Sequence, residues 1–127
     1  MALEGFWTVQ FQTMASQGTG VVTLIDGKIF GGDAGYTYLG TYEENQDKVK
    51  ARLEVRRYED SVVSVFGTLV NFSLELNGRL VSKTSVVGNA STPSLPATSL
   101  RFEMKWVTSL SSLSQARANI PEGADAL

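Results

Sequence analysis

The chain has neither cysteine nor histidine among its 127 residues, and only three prolines. Without those first two side chains there is no Ser-His-Asp or Cys-His triad, no histidine general base and no disulfide framework. Zinc, haem or iron–sulfur ligation by cysteine or histidine is excluded on the same ground. Catalysis would have to rest on carboxylates, lysine, tyrosine or a carboxylate-bound metal. Net charge is also small: 11 Lys+Arg against 13 Asp+Glu leave a formal charge of -2, which supplies no global attraction to nucleic acid or to an anionic membrane. No stretch approaches the roughly 20 apolar residues of a helical membrane span. The opening Met1-Ala2-Leu3-Glu4-Gly5 shows no basic region followed by an apolar run, so a soluble cytoplasmic protein is expected.

What is present is period-two alternation, which puts every second side chain on one face of a strand. Trp7, Val9 and Phe11 alternate with Thr8, Gln10 and Gln12. Val49, Ala51, Leu53 and Val55 oppose Lys48, Lys50, Arg52, Glu54 and Arg56, and near the end Leu100, Phe102, Met104 and Trp106 oppose Arg101, Glu103 and Lys105. Asp26-Gly27, between Val21–Ile25 and Lys28-Ile29-Phe30, has the composition of a type I′ hairpin turn. Asn77-Gly78 reads as a second such turn, leading from Phe72, Leu74 and Leu76 into a return strand over Arg79 to Val87 with Leu80, Ser82, Thr84 and Val86 inward. A Ser-, Thr- and Pro-rich loop is expected over Gly88 to Ser99.

These segments predict an all-β domain over residues 1–108: an eight-stranded (seven to nine) up-and-down antiparallel barrel, closure being the way such a chain removes its edges, with a sandwich as the other arrangement. The polar stretch 109–127, with Pro121 and Gly123, is expected to be a poorly ordered or short-helical tail. Inside an eight-stranded barrel there is room for packed side chains or for one small apolar ligand. Phe11, Phe72, Phe102 and Trp106 would line that space, either as core or as the wall of a cavity that Thr13, Thr23, Ala51, Ser82 and Thr84 leave open.

Two resemblances rest on particular residues. Gly5-Phe6-Trp7 resembles the Gly-x-Trp signature of the calycin barrels, in which an arginine of the last strand packs across the tryptophan. That resemblance implies Arg101, or else Arg57, beside Trp7. Gly5-Phe6-Trp7-Thr8-Val9, Gly18 to Val22, Gly31-Gly32-Asp33 and Tyr36 to Tyr42 occur in the order found in the GrlR-like negative regulators of type III secretion. Ser64-Val65-Phe66-Gly67 and Phe72 to Gly78 continue the likeness, with Gly31, Gly32, Asp33, Tyr38 and Gly40 as its distinctive core. It implies a lipocalin-like, homodimeric, cytoplasmic repressor that sequesters a transcriptional activator through an acidic surface patch. Here the matching loop is Glu43-Glu44-Asn45-Gln46-Asp47, whose carboxylates Glu43, Glu44 and Asp47 would meet the partner.

Each of these features also has a plainer reading. The acidic loop also reads as a solvated hairpin turn, and the Lys48, Lys50, Arg52, Arg56 stripe, interrupted by Glu54, as a solvated strand face rather than a nucleic-acid track. Gly31-Gly32-Asp33 fits a bulge or sharp corner in which Asp33 binds turn amides. Gly18-Thr19-Gly20 lacks the lysine and helix of a phosphate-cradling loop, and Glu54, Glu75 and Glu103 sit on outer faces of separate strands. Asn71-Phe72-Ser73 and Asn89-Ala90-Ser91 match the glycosylation pattern without a secretion signal to make use of it. The expectation is a binding protein without cofactor or metal: a regulator working by protein contact, or a barrel holding an apolar molecule such as a fatty acid.

Overall fold

The computed structural model describes residues 3–61, 69–96 and 98–111. The tail beyond residue 111 and Ser64 to Gly67 therefore lie outside the described residues. Eight antiparallel strands form a closed barrel in which each strand pairs with its sequence neighbours and the last returns to the first. They are β1 (Gly5–Gln12), β2 (Gln17–Ile25), β3 (Lys28–Gly32), β4 (Tyr36–Asn45), β5 (Lys48–Arg57), β6 (Asn71–Ser82), β7 (Ser85–Ser91) and β8 (Leu100–Thr108). No helix occurs among the described residues.

The alternation translates directly into the core. Trp7, Val9 and Phe11 of β1, Leu53 and Val55 of β5, and Leu100, Phe102 and Met104 of β8 are all buried, as are Tyr36, Tyr38 and Tyr42 of β4. Each large side chain so buried contributes about 1.5–3 kcal/mol. Short hairpins close one end of the barrel, at Asp26-Gly27, Gln46-Asp47 and Lys83-Thr84; longer connections cross the other. Asp26 and Gly27 have φ of 51° and 75°, the paired left-handed residues that a type I′ turn requires.

Several expectations are corrected. Asn77-Gly78 is not a turn: β6 runs through it, with Asn77 between Lys50 and Asn89 and Gly78 between Val49 and Gly88. The glycine is needed there for space rather than for φ, because a Cβ would stand 2.8 Å from the Phe102 ring. The hairpin falls instead at Lys83-Thr84, where the Thr84 amide donates to Ser82 Oγ at 3.2 Å, so Ser82 and Thr84 are exposed rather than inward. Strand β7 consequently extends to Ser91, so Gly88 to Ser91 belong to a strand and not to the expected loop. Among the small inward candidates, Thr13 is in a loop and Thr23 on the outer face. Only Ala51 packs against the core.

The expected stacking of Arg101 on Trp7 is also absent. Arg101 is exposed and pairs with Gln12, at the far end of β1 from Trp7. Trp7 is opposite Trp106, the rings meeting edge to face with centroids 5.4 Å apart. Gly5, at φ 148°, is obligatory beneath them, since a Cβ would run into the Trp106 ring. The Trp7 indole donates to the Leu3 carbonyl at 3.0 Å, holding the buried Leu3 across the hairpin end. Arg57, the other candidate, is bound at the loop end by the Asp60 carbonyl at 2.7 Å and an ion pair with Asp60.

Candidate functional site

Gly31, Gly32, Asp33 and Tyr38 come together as one corner of the barrel at its loop end, while Gly40 lies mid-strand in β4, opposite Ile29 and Leu53. Gly31 lies opposite Tyr38 and against Val22; a Cβ on it would overlap the Val21 carbonyl oxygen, and one on Gly40 would overlap that of Arg52. Neighbouring backbone occupies the space a side chain would take, which lets the sheet coil tightly enough to close. Asp33 secures the connection. Its Oδ1 accepts the Gly35 and Tyr36 amides at 2.9 and 2.8 Å, while Oδ2 accepts the Tyr38 hydroxyl in a short hydrogen bond. Its own carbonyl accepts the Tyr58 hydroxyl at 2.5 Å. Burial, then the bond to Asp33 and its charge, push the Tyr38 phenol far above its ordinary pKa, so it stays protonated. A carboxylate with three donors and a phenol that keeps its proton make a structural clasp.

The aromatic residues considered as a ligand cavity are core. Phe11 packs edge to face on Tyr38 at 5.9 Å, Tyr36 does likewise with Phe72 at 6.1 Å, and Phe102 is buried beneath Gly78. Trp106 is half-buried against Trp7.

At the hairpin end, the carboxylates of the acidic turn separate by strand phase. Glu43 faces outward beside Lys50, and Asp47 is exposed while its carbonyl receives the Leu80 amide at 2.7 Å. Glu44 has the inward phase of Tyr42, and its Oε1 is buried without a hydrogen-bond partner. The same holds for the hydroxyl of Tyr42, a residue only 5% exposed. Burial raises the Tyr42 pKa and the charges of Glu4, Glu44 and Asp26 add to the rise, while the nearby Gly27 amide opposes it without meeting hydrogen-bond geometry to the hydroxyl. Glu4 Oε2 accepts the Asp26 amide at 2.8 Å, bringing two further carboxylate residues to this end. Sequence reasoning missed Glu4 and Asp26, because only the register of β1 against β2, with Gly5 opposite Leu24, sets the chain's start beside the Asp26-Gly27 turn.

On the outer wall, strand register aligns Phe6, Thr23, Phe30, Leu39 and Glu54 across β1 to β5. Phe30 and Leu39 are 43% and 53% exposed, with Val21 beside the row also exposed. Along β4 the outward sequence is Leu39, Thr41, Glu43, so this apolar row leads toward the acidic turn. The basic stripe of β5 is outward as expected. Arg52 stands opposite Glu75, and Glu54 accepts the Ser73 hydroxyl at 2.8 Å.

A comparison with protein-family models finds no match, and none of the curated proteins is significantly similar.

Proposed function

We propose that the chain is a non-enzymatic binding protein that acts by contact with a basic protein partner, as a negative regulator sequestering a transcriptional activator would. The observation that carries this reading is the outer surface at the hairpin end, where exposed apolar Phe30 and Leu39 lead to the exposed carboxylates Glu43 and Asp47. Apolar area supplies affinity there, and the carboxylates supply steering and orientation toward a basic surface. The packed interior supports recognition outside the barrel over an apolar ligand within it. The resemblance of the Gly31 to Gly40 segment to the secretion regulators agrees with the same reading, which includes self-association into a homodimer.

Affinity capture from the native bacterium tests it, comparing the wild type with the Glu43→Ala/Asp47→Ala double variant. Capture of a basic transcriptional activator by the wild type and its loss with the variant, at unchanged melting temperature, is the expected result. Equal capture by both, or capture of no activator by the wild type, overturns it. Asp47 is used instead of Glu44 because the Glu44 carboxylate is partly inside the fold.

A further inference from the structure

A second feature of the wall has the opposite charge. Across β5 to β8 the register places Lys50, Asn77, Asn89 and Arg101 in one row and Lys48, Arg79, Val87 and Glu103 in the next. Lys48, Lys50, Arg79, Arg101 and the two asparagines line a groove of about 690 Å³, with Asp47 as the one carboxylate in its lining. That volume is in the range of small-ligand sites, about 300–1,000 Å³. None of the four cations forms an ion pair with a described carboxylate. Each projects outward and is exposed. The floor is the backbone of the facing Gly78 and Gly88.

We propose that this groove binds a compact anion bearing several phosphate groups. Two guanidinium forks recognise phosphate oxygens bidentately and two ammonium groups add point charge, while the asparagine amides offer further donors. The site is bounded, which selects a compact ligand over a polymer. Glu43 stands opposite Lys50 at one margin and Glu103 opposite Val87 at the other, so the cationic field does not continue around the barrel as a track. The lining contains no aromatic ring on which nucleic-acid bases would stack. The proposal also assigns a role to Arg101, which Trp7 does not engage.

The test is titration of the isotopically labelled full chain with inorganic tripolyphosphate at low ionic strength, followed by amide chemical shifts and calorimetry. Shifts centred on Gly78, Gly88 and Asn89 are expected, with binding weakened about tenfold by either Arg79→Ala or Arg101→Ala. The Arg52→Ala/Arg56→Ala variant, which removes two outward charges of β5 outside the groove, should bind as the wild type does. All these side chains are exposed, and the unliganded spectrum verifies that each variant folds. A single-stranded oligonucleotide distinguishes nucleic-acid phosphate from a free polyphosphate. The proposal is overturned by absence of shifts with tripolyphosphate, by equal weakening in the Arg52/Arg56 variant, or by tighter binding of the oligonucleotide.

Discussion

Replacing Asp33 with alanine removes the acceptor for two backbone amides and for the Tyr38 hydroxyl at once. The amides belong to a connection that water can partly reach, so their loss costs about 1 kcal/mol each. The Tyr38 hydroxyl is different, because the ring is fully buried and the orphaned group bears a desolvation penalty of about 1–3 kcal/mol. The sum, about 3–5 kcal/mol, is a large share of a domain's usual 5–15 kcal/mol and lowers a urea midpoint by roughly 2 M. Tyr38→Phe alone should cost about 1–2 kcal/mol, through loss of a charge-assisted bond. In the Asp33→Ala background, however, the same change removes the orphaned hydroxyl, and the double variant should be no less stable than Asp33→Ala alone. Urea unfolding followed by the fluorescence of Trp7 and Trp106 measures all three variants. Strict additivity, with the double variant weaker than Asp33→Ala by the full cost of Tyr38→Phe, refutes the reasoning.

Because the folded-state pKa of Tyr38 is raised, its contribution to stability is fully present below the unfolded value of about 10 and is lost as pH climbs from there toward the folded value. Urea midpoints should thus be flat through neutral pH and fall above about pH 10, less steeply in Tyr38→Phe, and a midpoint rising over that range would contradict the sign. Tyr42→Phe removes a buried hydroxyl that has no partner and should raise stability by about 1 kcal/mol in the same assay; a loss would mean that the hydroxyl is satisfied in solution. Gly40→Ala sets a methyl group against the Arg52 carbonyl and should cost about 3 kcal/mol or more, seen as a lower melting temperature, whereas Gly27→Ala meets the Tyr42 carbonyl oxygen only at an ordinary contact distance of 3.8 Å, leaves turn strain as its main cost and should cost about 1 kcal/mol.

Much of the barrel was legible because a half-buried strand writes its period into the sequence. Trp7, Val9 and Phe11, or Leu100, Phe102 and Met104, need no further context to be placed inside. Asp26-Gly27 was legible for a similar reason, since both residues adopt the conformation for which that pair is favoured. Asn77-Gly78 misled because glycine answers two different needs, positive φ and absence of a Cβ, and only the neighbouring strands reveal which applies. Glu44 was misjudged because a turn read as a run of carboxylates conceals the strand phase that turns one of them inward. Register explains the remainder: whether Arg101 reaches Trp7 or instead joins Lys50 depends on how β8 is offset against β1 and β7, an offset written in no single segment.

The seam between β1 and β8 joins the most distant parts of the barrel, while every other pairing links sequence neighbours. It is also where the chain's two tryptophans meet edge to face. Seven hairpin-type pairings can form locally, but this one must close a loop of nearly the whole domain, which makes it the costliest in chain entropy. The Trp7–Trp106 couple is therefore a built-in optical latch: its circular-dichroism signal reports barrel closure separately from strand formation, without an added probe.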